Sequence, residues 1–124
     1  MRRAWILAVT LSAIASTVPA RAAADADEIT VTGWIVDSAC AYTKGIDKPV
    51  SPACARACAR KGSPLVVLRD DGTIFLPIDD ETPAASQNPR LLPFAGERVT
   101  VKGEDHARNG SHGIVIREIA RASK

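Results

Sequence analysis

Two dipeptides, Asp71-Gly72 and Asn109-Gly110, each stand between apolar runs of strand type, and they constrain the fold more than anything else in the chain. Such pairs favour the tight turns of β-hairpins, whose central residues need positive φ. The first hairpin runs from Pro64 to Ile78. With Asp71-Gly72 as a two-residue loop, Val67 faces Leu76 and Leu68 faces Phe75. Both faces of this hairpin are then apolar near its middle. One face closes the core, and the other takes a helix or a long loop. Pro77 lacks an N–H and argues for an edge position. In the second hairpin, Glu97–Gly103 alternates with Val99 and Val101 inward, and His112–Ala120 returns. Ala107 then pairs with His112, and His106 with Gly113.

A fifth strand comes earlier. Glu28 to Asp37 alternates with period two and is rich in β-branched residues. Gly33 marks a bend or a close backbone approach, as at a barrel corner, and Trp34 implies that the second face is also covered. Residues 41–50 read as a loop. A helix follows: Ser51 suits the N-cap, Pro52 the first helical position and Gly62 the position just past the end. Residues 79–96 form a long connection whose prolines exclude a long helix, with Leu91, Leu92 and Phe94 tucked back as a plug. The expected fold is mainly β. It is a small five-stranded antiparallel OB-like barrel with one α-helix between strands 1 and 2.

The N-terminus reads as a leader. Met1-Arg2-Arg3 precedes an apolar run from Trp5 to Val18, and Ala20-Arg21-Ala22 resembles a cleavage site. Residues 1–22 are therefore expected to be a secretory signal peptide, 23–28 a flexible lead-in, and 29–124 a single domain. The destination is the periplasm or the exterior. Removing Arg2, Arg3 and Arg21 from 16 Lys and Arg leaves 13 against 14 Asp and Glu, a net charge of −1. A nearly neutral domain with one Tyr is a poor nucleic-acid binder. No basic amphipathic helix suggests a membrane surface after cleavage. A monomer is expected.

The chemistry-bearing residues are three cysteines, Cys40, Cys54 and Cys58. Cys54 and Cys58 are four apart, so a helix presents them on one face. Export permits a disulfide, and three sulfurs leave one over. A bridge from Cys40 to Cys54 or to Cys58 ties the strand end to the helix. A bridge within the helix is disfavoured, because parallel Cα–Cβ bonds strain the S–S dihedral. Alternatively, the three thiolates with Asp37 form a soft-metal site for Cu(I) or Zn(II). A thiol redox centre is the third reading; Lys61 and the helix N-terminus would favour thiolate.

Other sites read more weakly. His106 and His112 flank one turn beside Asp105, but the expected pairing points them to opposite sides of the ribbon. Asp37-Ser38 has no context for a nucleophile and suits a turn out of the strand. Asp79-Asp80-Glu81 lacks the alternating ligands of a calcium loop. No catalytic constellation emerges.

Three segments together carry a resemblance. They are Gly33-Trp34-Ile35-Val36-Asp37-Ser38-Ala39-Cys40, Cys54-Ala55-Arg56-Ala57-Cys58-Ala59-Arg60-Lys61-Gly62 and Ala95-Gly96-Glu97-Arg98-Val99-Thr100-Val101-Lys102-Gly103. The chain resembles a group of small exported bacterial proteins of unknown function that share D-S-x-C and C-A-x-x-C-A-x-x-G frames. The resemblance implies an OB-like barrel and no established activity. Members often carry a His just before the second frame, where this chain has Ser51-Pro52-Ala53. The functional expectation is a non-enzymatic binding or structural module with the cysteine segment mainly a disulfide staple.

Overall fold

The computed structural model describes residues 26–47 and 49–123. The expected leader and residues 23–25 of the lead-in lie outside these residues, and Asp27 and Glu28 of the lead-in already belong to the first strand. In order, the elements are β1 (Asp27–Asp37), α1 (Ser38–Lys44), α2 (Pro52–Arg60), β2 (Leu65–Arg69) and β3 (Ile74–Pro77). A short α3 (Asn88–Leu91) and a 3-10 turn (Leu92–Phe94) precede β4 (Arg98–Arg108) and β5 (Ser111–Arg121).

The strands close into a barrel in the order β1-β2-β3-β5-β4. This is consistent with the OB-like barrel expected from sequence. The sheet is not purely antiparallel: β3 and β5 run parallel, with Phe75, Leu76 and Pro77 beside His112, Gly113 and Ile114. The correction is one of parity. An odd number of strands cannot alternate direction all the way round a closed ring, so at least one neighbouring pair must be parallel. Pro77 is accordingly not on an open edge. It is the last residue of β3, and the next N–H, of Ile78, donates to the Ile114 carbonyl at 2.9 Å.

β1 is long because it serves two partners. Residues Asp27 to Trp34 pair with β4, and Gly33 to Asp37 pair with β2. The strand passes from one partner to the other at Gly33. A Cβ there would press on the Leu68 carbonyl oxygen, and one at Gly103 would overlap that of Val115. Gly103 adjoins the register shift between β4 and β5. Both glycines therefore mark corners of the barrel.

The Asn109-Gly110 turn forms as expected, with φ of 48° and 82°. Ala107 pairs with His112 and His106 with Gly113. The first hairpin differs by one residue. Val67 pairs with Phe75 and Leu68 with Ile74. The loop holds three residues, Asp70-Asp71-Gly72, with the Arg69 N–H donating to the Thr73 carbonyl at 2.9 Å. A three-residue loop with glycine at its left-handed position is the next commonest hairpin connection. The shift places Phe75 in the core and leaves Leu76 outside.

Two apolar clusters result. Val31, Ile35, Val67, Phe75, Val99, Val101 and Ile114 fill the barrel, and Leu91 and Ala95 of the long connection plug it with Ala55 and Ala59 of α2. Each large side chain so buried contributes about 1.5–3 kcal/mol. Val36, Val66 and Leu68 point the other way and take Ala41 of α1, with Trp34 and Ile74 at the margin. The apolar outer face of the first hairpin thus covers itself with a helix.

That helix, α1, corrects the expectation of a single helix and of a loop through 41–50. Ser38–Lys44 folds because Asp37 caps it: the carboxylate accepts the Cys40 N–H. α2 follows its sequence signals. The Ser51 hydroxyl accepts the Cys54 N–H at 3.3 Å, and Pro52 opens the helix. At the other end, the Gly62 N–H reaches Ala59 O at 3.0 Å and the Ser63 N–H reaches Cys58 O at 3.1 Å, a Schellman closure.

Candidate functional site

The end of β1 and the two helices bring the cysteine segment together. Asp37, the last residue of β1, is 3% exposed and is the buried charged side chain among the described residues. A buried carboxylate needs donors. Its Oδ1 accepts the Cys40 N–H at 3.1 Å and the Ser63 hydroxyl at 3.3 Å. Burial pushes this carboxyl up, but hydrogen bonds from Cys40, Ser63 and Ala39 outweigh it and hold the group below the usual carboxylate range. Asp37 is therefore a fixed negative charge at neutral pH.

The sulfurs gather around it. Hydrogen bonding to the Asp37 carboxylate, with burial and the carboxylate's charge, pushes the Cys40 thiol up to about 11. Lys44 opposes this weakly, and the neighbouring Cys54 adds to it. Burial also pushes the Cys58 thiol up, helped by the charge of Asp37 and by the Cys54 sulfur beside it. Cys54 is exposed; Cys40 and Cys58 are half-buried. All three are free thiols. Cys40 and Cys54 line one cleft of about 110 Å³ with Asp37, Lys44, Val50 and Ala55. That volume suits an ion or a few waters, not an organic ligand.

The four residues singled out in sequence thus meet in one place, although the fold spreads them over β1, α1 and α2. Among the described residues, no three or more His, Cys, Asp or Glu side chains stand in an arrangement ready to hold a metal ion.

The histidines separate as their pairing requires. His112 joins Asp105 instead of His106: its Nδ1 lies 2.7 Å from Asp105 Oδ2. Asp105 and His112 are diagonal neighbours on one face of the β4–β5 ribbon, and the imidazole packs on Phe75 with ring centroids 4.8 Å apart. Asp105 Oδ1 is buried without a partner. Sequence reading weighed the two histidines against each other and missed this pair, which a diagonal search across the Asn109-Gly110 turn would have found. In the acidic loop, Asp80 is held below the usual carboxylate range by hydrogen bonds from Arg117, and Asp79 Oδ1 accepts the Glu81 N–H at 3.3 Å.

Asn88 is the other residue that sequence reading missed. Its Oδ1 accepts the Leu65 N–H at 2.8 Å, and its Nδ2 donates to Ser63 O at 2.8 Å. It locks the end of α2 to the start of β2 from within the long connection.

The class defined here is a small closed five-stranded β-barrel that carries a thiol–carboxylate cluster at the end of β1 and on the two helices that follow it. No protein-family profile, no curated protein and no solved structure matches the chain.

Proposed function

We propose that the chain is an exported, non-enzymatic binding module whose cysteine segment is chiefly a structural staple. Its place among the small exported proteins it resembles, and its OB-like ancestry, are part of this reading. The observation that carries it is the convergence of Cys40 and Cys54 on one cleft between the end of β1 and α2. In an oxidising compartment both thiols lose their hydrogens, a sulfur–sulfur bond forms, and two electrons pass to a disulfide-bearing oxidant. The bridge closes a loop of about 15 residues and stabilises by about 3 kcal/mol. Cys58 is the sulfur left over. Cys40 and Cys58 are both pushed up. A thiol redox catalyst needs the opposite shift, which favours the staple.

The test is thermal unfolding with and without reductant. Reduction should lower the midpoint of the wild type and of C58S by roughly 15 °C. C40S should start low and not respond. A wild type indifferent to reductant contradicts the staple.

A second reading has one observation in its favour: Asp37 acts on two of the thiols, Cys40 and Cys58, and Cys54 stands beside both. Reduced protein could then hold Cu(I) or Zn(II) through Cys40, Cys54 and Cys58, with Asp37 as fourth donor or nearby charge. Metal would have to displace protons from two raised thiols. Cu(I) retention that survives replacement of all three cysteines rules this reading out.

A further inference from the structure

The cleft that Cys40 and Cys54 share also holds a lysine. Cys40 and Lys44 are four apart on α1, so one face of that helix presents both. Cys54 comes to the same cleft from the first turn of α2. Among the described residues, Lys44 engages no carboxylate. Asp37, the carboxylate of the cleft, is already engaged: its Oδ1 accepts the Cys40 N–H and the Ser63 hydroxyl. Asp37 is buried and Lys44 exposed, so an anion arriving from solvent meets the ammonium first.

The three sulfurs differ in access. Cys54 is exposed, whereas Cys40 and Cys58 are half-buried. Thiol–disulfide exchange needs an open path to the attacking sulfur. Cys54 is therefore the sulfur that a disulfide from outside meets first. The wall beside it is apolar at Pro49, Val50 and Ala55. At about 110 Å³ the cleft has room for a carboxylate and the methylenes behind it, not for a whole organic ligand. A covalent adduct needs no more, because one arm is retained and the other leaves.

We propose that Cys54 is an S-thiolation site for small disulfides with carboxylate-bearing arms, and that Lys44 is the positioning residue that draws one carboxylate into the cleft. The site rests on the staple reading and names where oxidation enters it. In the first step Cys54 gives up its proton to solvent and its sulfur attacks one sulfur of the disulfide. The bond from Cys54 Sγ to that sulfur forms, the original S–S bond breaks, and the other arm leaves as a thiolate that takes up a proton. In the second step Cys40, across the same cleft, loses its proton and attacks Cys54 Sγ, which expels the retained arm as a second thiol. Over both steps two protein thiols lose two electrons, and the small disulfide is reduced to two small thiols. The apolar wall receives the methylenes of the arm while it is held.

The probes are three disulfides that differ in charge: dithiodipropionate, anionic; hydroxyethyl disulfide, neutral; and cystamine, cationic. Adduct formation on the reduced protein is followed by intact mass after acid quenching. In C40S, which keeps Cys54 and Cys58, peptide mapping should place the adduct at Cys54. In C40S/C58S, adding K44Q should slow the anionic disulfide about fivefold, the factor for one unit charge about 4 Å from another in water. The neutral probe should be unchanged and the cationic one faster. K44R should keep the preference. Lys61 stands seven residues beyond Cys54, about 10 Å along the helix axis, so K61Q should behave as its parent. Lys44 is exposed, so K44Q should fold; K44M takes its place where it does not. An adduct at Cys58 in C40S, an anionic rate unmoved by K44Q, or an equal loss in K61Q overturns the proposal, while a Cys40–Cys54 bridge formed in C58S would still support the staple. An adduct at Cys54 in C58S that Cys40 never displaces has the opposite meaning: the entry site stands and the staple falls.

Discussion

Replacing Asp37 by Asn tests the electrostatics of the sulfur cluster on a single atom. Asn keeps the N-cap acceptor that α1 requires, so the helix should survive. What is lost is the negative charge beside Cys40. The wild-type thiol is pushed up to about 11 from an ordinary 9.0, first by its hydrogen bond to Asp37. At about pH 8 this leaves about 0.1% thiolate, against about 9% for an ordinary thiol, a ratio of about 100. Intrinsic nucleophilicity falls as basicity falls, with a Brønsted slope of about 0.45, and returns about a factor of 8. The gain in alkylation rate is therefore at most about tenfold, because burial, the second cause of the shift, remains in the variant. The assay is the second-order rate of iodoacetamide with Cys40 as the sole cysteine, in C54S/C58S and in C54S/C58S/D37N. A ratio within about twofold of unity would refute the assigned cause, because it would mean that Asp37 does not hold the proton on Cys40.

The same carboxylate predicts an acid dependence. Its pKa is lowered by folding. Its contribution to stability is therefore present above the ordinary carboxylate value and is lost as pH falls through the lower, folded value. The urea midpoints of wild type and D37N should differ most above the ordinary carboxylate range and converge as pH falls below it; a gap independent of pH would contradict this. N88A should cost about 1–3 kcal/mol, because it leaves the Leu65 N–H and the Ser63 carbonyl without their partner. Urea unfolding reads that cost, and faster hydrogen exchange at Leu65 locates it.

Much of the barrel is written in local patterns. The alternation of β1, β4 and β5, the plug at Leu91 and both caps of α2 follow from residue type and spacing, because each is decided within a few neighbours. The misread features depend on something wider. The register of β2 with β3 turned on whether Asp70 belongs to the strand or the loop, and the sequence Asp70-Asp71-Gly72 accommodates either. Core volume decides it by drawing Phe75 inward. α1 has only seven residues, too few for a helical period to show, and its evidence was the Asp37 cap, which also suits a turn. The parallel β3–β5 pair is a property of ring closure and of no single strand. At the cluster, the four residues were legible by type. That they converge was expected too; the detail of their arrangement was not legible, because it needs both helices docked on the end of β1. Asn88 and the Asp105–His112 pair join residues distant along the chain or diagonal on a sheet, and no local pattern marks either.

The proposed staple is tested most directly by mass spectrometry of the protein taken from the compartment where the cell accumulates it and alkylated before and after reduction. One alkylated cysteine before reduction, found at Cys58, with three after it, is the result predicted by a Cys40–Cys54 bridge. Three alkylated cysteines before reduction would contradict it and return the cluster to the metal reading.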